Sequence, residues 1–241
     1  MTWSIVAVDD DGSLGVAVAS RAFAVGALCP YARSGVGALS TQALVNLHYA
    51  APALDLLARG TSPAEVIATL TGPDEGRDHR QLHLVDASGR CAAYTGAKCV
   101  DWCGHRVGAR YSVAGNMLAG PDVVSETARV YEASAAMPFA ERLLRALAAG
   151  EAAGGDKRGK QAAALLVCTT ERYPFLDLRV DDHEAPIDEL RRLYEKSFER
   201  YQALLACLPS RDRPWGVTDR AEVEAAIERF QAQRARREPG R

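Results

Sequence analysis

The chain has 241 residues, of which 48% are apolar and 25% are charged, and its formal net charge at pH 7 is −2. This length allows one large domain or two small ones with a generous core, and the near balance of charge argues against a protein held on nucleic acid by a basic field. No apolar run approaches the length of a membrane span, and the N-terminus lacks the regions of a signal peptide. We therefore expect a cytoplasmic protein without a nucleic-acid or membrane partner.

Apolar and β-branched runs bounded by turn residues predict the strands. Residues 2–9 and 14–20 flank DDDGS, a strong hairpin signal, and residues 36–44 form a third strand that ends in polar side chains. The later strands are predicted at 81–95 (a hairpin turning near 87–89), 109–118, 162–170 and 175–182.

Helical spacing of apolar residues and N-terminal capping signals predict the helices. The segment that begins Ser62-Pro63-Ala64-Glu65 has a capping box with proline in the first turn. The predicted helices lie at 49–59, from 62 onwards, 121–135, 138–149, 186–208, and after a Thr218 or Asp219 cap.

The order of these elements is strands, helix pair, strands, helix pair, strands, helix. It favours an α+β fold in which two stacked antiparallel sheets carry helices on their outer faces, a four-layer α/β/β/α sandwich. We assign residues 2–208 to this domain and residues 209–241 to a short C-terminal helix with a solvated, frayed basic tail.

The segment GGDKRGKQ (154–161) matches the spacing of a phosphate-binding loop but lacks the Ser or Thr that would reach magnesium. It also follows a helix and precedes a strand, the reverse of the context that such a loop needs. We therefore predict no nucleotide cofactor. Adjacent glycines and the charges of Asp156, Lys157 and Arg158 are typical either of a pocket wall or of a solvated turn.

The six cysteines show no disulfide spacing, and buried free thiols are the simplest interpretation. A zinc site from Cys99, Cys103 and His105, with Cys91 nearby, lacks the paired C-x-x-C pattern, so we predict no metal. A thiol enzyme that uses Cys29 or Cys103 ranks last, because nothing in their setting indicates an activated thiolate.

Polar side chains at strand ends are the candidates for binding a small molecule. Asn116, in the turn GNML, could direct its amide at a developing oxyanion or could satisfy turn backbone groups. Arg21 could hold a carboxylate through two hydrogen bonds or form a surface ion pair. The full set of candidate substrate-binding residues is Ser20, Arg21, Thr41, Gln42, Asn46 and Arg158.

The N-terminal sequence places Thr2 at the start of the first predicted strand. If Met1 is removed, as is normal before a small residue, the α-amine of Thr2 can act as the base for its own hydroxyl. Such an amine titrates near ~7.7–8.0, so a good fraction is neutral at cytoplasmic pH. We expect no propeptide to be needed. The alternative is that Thr2 is an ordinary strand residue.

Five segments of the chain are informative as a set, namely TWSIVAVD, LGVAVASRAFAVG, GVGALSTQALVN, GHRVGARYSVAGNMLAGP and GEAAGGDKRGKQAAALLV. Together they resemble a bacterial and archaeal family, domain of unknown function 1028, over residues 2–205. That family looks like the N-terminal-nucleophile (Ntn) hydrolases, which share the α/β/β/α sandwich. The resemblance implies Thr2 as nucleophile. Some relatives carry a C-terminal module that resembles a peptidoglycan-binding domain. In this chain only the short stretch 212–236 occupies that position, so we do not expect cell-wall binding.

The chain departs from the proteasome-type members of the wider superfamily. There the second strand ends in Asp-Ser-Arg and a lysine follows on a later strand, whereas VASR (18–21) has Ala19 in place of the aspartate and STQAL has no lysine. Supporting charges would have to come from elsewhere, and Asp156, Lys157 and Arg21 are the candidates.

From these patterns we predict a hydrolase of a small-molecule amide or similar C–N bond. Thr2 is the predicted nucleophile, Asn116 the oxyanion donor, and Asp156 and Lys157 the supporting charges. The competing hypothesis is a non-catalytic ligand-binding or assembly protein on the same fold. By analogy with such sandwiches we expect a homo-oligomer, a dimer or larger.

Overall fold

A computed structural model describes residues 2–237. Its strands coincide with most of the apolar runs seen in the sequence. They are β1 (Thr2–Val8), β2 (Leu14–Ser20), β3 (Pro30–Arg33), β4 (Gly37–Ala43), β5 (Arg80–Asp86), β6 (Cys91–Thr95), β7 (Trp102–Gly108), β8 (Tyr111–Leu118), β9 (Ala162–Cys168) and β10 (Leu176–Val180).

The helices of the described residues are α1 (Val25–Leu28), α2 (Ala50–Ala58), α3 (Pro63–Thr71), α4 (Asp122–Ala133), α5 (Phe139–Ala152), α6 (Pro186–Ser197), α7 (Tyr201–Leu205) and α8 (Arg220–Arg237). Six of these eight helices begin within two residues of a predicted start, whereas α1 and α7 were not predicted as separate helices. The capping box of α3 is confirmed, because Ser62 accepts from the Glu65 amide and Glu65 reaches back to the Ser62 amide. Asp219, not Thr218, caps α8 by accepting from the Ala221 amide.

The strands form two sheets, as the sequence predicted. One has six strands in the order β10-β9-β2-β1-β8-β7 and the other has four in the order β3-β4-β5-β6. Neighbouring strands in both sheets are antiparallel. The two first strands of the chain are therefore central in the larger sheet, and β1 lies between β2 and β8.

Helices cover the outer face of each sheet. The pair α2 and α3 packs on β4, β5 and β6, while α4 and α5 pack on β1, β2 and β8. The sheets face each other through β1, β4, β5 and β8. Because β1 and β2 are covered on both sides, they are apolar at nearly every position, which is why the sequence shows continuous runs rather than alternation.

The space between the sheets has an apolar end and a polar end. Side chains alternate along each strand, so one set of positions faces this interior. At the apolar end lie Val6, Val8, Leu14, Val16, Ala38 and Val85. At the other end the same positions carry buried polar residues, namely Thr2, Ser4, Ser20, Ser40, Gln42, Gln81, His83, Ser112 and Asn116. The start of β1 therefore opens onto a polar layer.

Two strands, the short helix α1 and one helix break were not predicted from the sequence. Strand β3 is short, and β7 is half-exposed and includes Cys103, within the segment considered for zinc. The single helix predicted over 186–208 is wrong, since α6 ends at Ser197 and Arg200 has φ −145° before α7 begins. The Ser197 hydroxyl donates to the Tyr194 carbonyl, a local bond that competes with continuation of the helix.

The chain divides into two compact units, Met1–Leu190 and Arg191–Arg241. Within the second unit, Arg200 pairs with Glu224 at 2.6 Å. The domain boundary proposed at residue 208 stays a prediction. Residues 238–241 of the expected basic tail lie outside the described residues, as does Met1. Over residues 2–237, every helix is too short or too polar to cross a membrane.

Candidate functional site

Thr2 lies at the polar end of the interior, in the first position of β1. It is buried, with 4% of its surface exposed, and its Oγ1 donates to the Ser20 hydroxyl at 3.3 Å. On its other side it pairs in register with Asn116 of β8. Two of the residues proposed from the sequence are thus its direct neighbours, one on each flanking strand.

Two side-chain amides point at the carbonyl oxygen of Thr2. Gln42 Nε2 donates to it at 3.5 Å, and Asn116 Nδ2 does so at 3.4 Å. Both are long bonds, and both nitrogens donate a shorter one to Gln81 Oε1, at 2.7 Å from Gln42 and 3.0 Å from Asn116. The Asn116 amide is therefore engaged, and a role as oxyanion donor would require it to give up one of these acceptors.

Gln81 is the centre of this network, and the sequence analysis missed it. Its Oε1 accepts from Gln42 and Asn116, while its Nε2 lies 2.9 Å from Thr95 Oγ1, 3.1 Å from the Gly104 carbonyl and 2.9 Å from the Gly115 carbonyl. The available signal was a glutamine at an inward-facing position of an apolar strand, QLHLVD, since a buried polar residue needs partners.

A second branch of the network contains His83. Ser4 Oγ lies 2.7 Å from both His83 Nε2 and Gln42 Oε1, and His83 Nδ1 lies 3.2 Å from Ser112 Oγ. All four side chains are fully buried. Burial lowers the pKa of His83 to about 3. The imidazole is therefore neutral in the folded protein at ordinary pH.

This burial predicts acid destabilisation. In the unfolded chain a histidine titrates near ~6.5, so between pH 6.5 and 3 only the unfolded state binds the proton. The His83 contribution to stability is complete above ~6.5 and falls by about 1.4 kcal/mol per pH unit below it. Urea unfolding at pH 7.5 and 5.5 measures this loss.

Two histidine variants identify its source. We expect the pH dependence to shrink by about one proton in His83→Gln and to persist in His48→Gln, which replaces an exposed histidine. An unchanged pH dependence in His83→Gln would contradict the assignment.

The glycine-rich loop at 154–161 runs across the strand ends of the larger sheet, next to the start of β1. Asp156 forms a bridge with Leu118 at the end of β8, and its carboxylate accepts from the Arg21 amide at 2.7 Å. Because β1 lies between β2 and β8, a loop bonded to both neighbours passes the Thr2 end of β1. Gly154 and Gly155 have φ of 116° and 53°, which permit this close turn.

Asp156 and Lys157 have different surroundings. Asp156 is buried and also accepts from the Arg158 amide at 2.8 Å and from its guanidinium at 3.2 Å. Lys157 is exposed and pairs with Asp101 at 3.2 Å. The structure thus joins Asp156, Arg21 and Arg158 beside Thr2 and directs the Lys157 ammonium to another loop.

Thr41 and Asn46 bind each other instead of Thr2. Thr41 Oγ1 donates to the Asn46 carbonyl at 3.2 Å, and Asn46 Nδ2 donates to Asp74 at 3.2 Å. A hydrogen bond from the Tyr49 hydroxyl, with others, lowers the pKa of Asp74 to about 2. This cluster fixes the connection between β4 and α2 and supplies no group to the polar layer.

Left-handed backbone occurs next to both amides that contact Thr2. Ala43 has φ 69° and directly follows Gln42, and Met117 has φ 53° and directly follows Asn116. This conformation costs roughly 1–3 kcal/mol at a residue other than glycine, and such strain concentrates at functional sites. It marks the point where β4 and β8 turn away from the interior.

The cysteines show no sign of thiolate activation. Burial raises the pKa of the Cys29 thiol to about 12, and burial also raises the pKa of Cys103. Cys103 Sγ contacts the Cys99 carbonyl at 3.5 Å. Throughout residues 2–237, no three His, Cys, Asp or Glu side chains are grouped so as to hold a metal ion.

Comparisons with known proteins relate this chain to one protein family. The model of the family of unknown function DUF1028 matches residues 2–190. The crystal structure of protein SPO2555 from Silicibacter pomeroyi, described as family-model DUF1028, is 32% identical with a TM-score of 0.84, covering 90% of this chain and 96% of that one. Anbu (ancestral beta-subunit) from Yersinia bercovieri is 14% identical with a TM-score of 0.38, covering 86% and 98%. No curated protein matches. This chain therefore belongs to the DUF1028 family.

Proposed function

We propose that the chain is an Ntn-type hydrolase that cuts a small-molecule amide with Thr2 as its nucleophile. The observation that carries the proposal is the position of Thr2, which begins a central strand at the polar end of the space between two sheets. Its hydroxyl is bonded to Ser20 and its carbonyl is flanked by Gln42 and Asn116. A threonine that served only as a strand residue would not need this concentration of buried polar groups.

The reaction requires only groups that Thr2 would carry after loss of Met1. The α-amine takes the proton as Oγ1 attacks the amide carbonyl, and the C–N bond then breaks as the leaving amine receives that proton. Water hydrolyses the resulting ester, which releases a carboxylic acid and regenerates the hydroxyl. Asn116, or amides near it, would stabilise the oxyanion.

The loop through Asp156 would support this chemistry in two ways. The loop passes the start of β1, and its buried Asp156 carboxylate is the candidate for the role of the aspartate that Ala19 replaces. Its bonds to the Arg21 amide and to Arg158 fix it in place. A fixed carboxylate near an α-amine would favour the ammonium form that develops when Oγ1 loses its proton.

A non-catalytic binding protein is the second candidate, and one observation favours it. The Asn116 amide is already bonded to Gln81 and to the Thr2 carbonyl. A satisfied network needs no substrate to explain it.

Mass spectrometry of the N-terminal peptide tests the choice. Untagged protein is analysed before and after exposure to a hydroxyl-directed β-lactone. We expect a terminus that begins at Thr2 and an adduct on that residue. Retained Met1, or a free Thr2 that stays unlabelled under conditions that label a known Ntn enzyme, would favour the binding protein.

A further inference from the structure

A surface pocket lies at the end of the larger sheet at which β1 begins with Thr2. Its volume is about 260 Å³, and it is lined by Arg21, Lys160, Gln161, Asp182, His183 and Glu184. These residues follow β2, precede β9 and follow β10, three neighbouring strands. Since strands are spaced ~4.8 Å apart and Ser20 bonds the Thr2 hydroxyl, the pocket starts about one strand from the proposed nucleophile.

Arg21 contributes an unbalanced positive charge to this pocket. Its Nη1 donates to the Arg158 carbonyl at 2.8 Å, and across residues 2–237 no carboxylate lies within ion-pairing distance of its guanidinium. Asp156, which accepts from the Arg21 backbone, is paired with the Arg158 side chain instead. Arg21 therefore retains donors for a ligand carboxylate.

The neighbouring cations differ from Arg21 in this respect. Lys160 pairs with Glu151 at 2.9 Å, and Arg179, at the end of β10, pairs with Asp181 at 2.9 Å. Among the described residues, Lys160 and Arg179 each have a carboxylate partner, whereas Arg21, which follows Ser20, has none.

The lining of the same pocket includes two carboxylates, those of Asp182 and Glu184. Asp182 accepts from the Gln161 amide at 3.1 Å, and within the described chain neither Asp182 nor Glu184 has a cation at ion-pairing distance. His183 is held in place, because its Nδ1 accepts from the Ala185 amide at 3.0 Å. The pocket is therefore lined by one guanidinium and two carboxylates, and within residues 2–237 these three groups form no ion pair with one another.

We propose that this pocket binds the zwitterionic end of an amino acid. The ligand carboxylate binds Arg21, and its ammonium group binds Glu184 and Asp182. A volume of about 260 Å³ is large enough to hold one amino acid. The inference rests on the proposed function in taking this ligand as the amino-acid part of the amide substrate.

Calorimetric titration tests the pocket without requiring turnover. The Thr2→Ala variant is titrated with the proteinogenic L-amino acids one at a time, and then with the N-acetyl and the carboxamide derivatives of the best ligand. We expect a Kd between about 0.1 and 10 mM, weakened by salt, and at least ~10-fold weaker binding of each derivative because one charge is lost.

Three variants assign the binding to these residues. We expect Arg21→Met and Glu184→Gln each to weaken binding about 10-fold or more, and Arg179→Met, the matched control whose arginine is already paired, to stay within about twofold. Within residues 2–237 the Glu184 carboxylate forms no ion pair, so Glu184→Gln should fold normally and tests the pocket even if Arg21→Met does not fold.

The outcomes separate this inference from the hydrolase proposal. Absence of binding up to about 10 mM, equal binding of a derivative that lacks one charge, or unchanged binding by Arg21→Met and Glu184→Gln would overturn the pocket assignment. If the protein binds the zwitterion but Thr2 does not react with the β-lactone, the pocket assignment is supported and the hydrolase proposal is rejected.

Discussion

The Thr2→Ala variant loses β-lactone labelling of its N-terminal peptide, with a fall in rate of at least ~10³-fold, while Thr2→Ser still labels. The reason is that alanine has no Oγ, whereas serine keeps both the hydroxyl and the α-amine. Alanine and serine are also small residues, so Met1 is removed from all three proteins alike. The rate of adduct formation, followed by mass spectrometry, is the measurement.

Folding does not confound this comparison. The Thr2 hydroxyl makes a 3.3 Å bond to Ser20, and loss of one such bond costs about 1 kcal/mol. Ser20→Ala is the matched control, because it removes the partner hydroxyl and keeps the nucleophile, and we expect its labelling rate to stay within about tenfold. A Thr2→Ala protein that acquires the adduct elsewhere at the original rate would place the nucleophile at another residue.

The fold could be predicted largely because its signals are local. Continuous apolar runs identified β1, β2 and β9, and the Ser62–Glu65 pattern located the start of α3. Strand β7 was missed because it is half-exposed and has neither alternation nor an apolar run. The break after Ser197 was missed because the apolar spacing continues through it, although the backbone does not.

The site was predictable only in part because it depends on register. Ser20, Gln42 and Asn116 lie at or near the ends of their strands, and the pairing of those strands brings all three to Thr2. Nothing in the sequence shows which strands are neighbours. The contact of Gln81, on β5, with Gln42 and Asn116 could therefore not be predicted. Thr41 was included as one of the polar residues at the strand end STQALVN, but neighbours along a strand face opposite sides, so Thr41 and Gln42 point away from each other.

The largest effect on stability is expected from Gln81→Met. Methionine has a similar size but no hydrogen-bonding amide. It leaves the buried amides of Gln42 and Asn116 without their shortest acceptor and the carbonyls of Gly104 and Gly115 without this donor. At about 1–3 kcal/mol for each buried group left unsatisfied, we expect a loss of roughly 3–5 kcal/mol in the free energy of unfolding.

Chemical denaturation at pH 7.5 measures this loss, and Gln161→Met is the matched control. Gln161 is only half-buried and its side chain donates one bond, to Asp182, so we expect less than about 1 kcal/mol from it. The double variant Gln42→Leu/Gln81→Met should lose less than the sum of the single variants, because it removes donor and acceptor together. A loss below about 1 kcal/mol for Gln81→Met would mean that water enters the layer and satisfies these groups. The polar end of the interior would then be an open pocket next to Thr2 rather than a closed network.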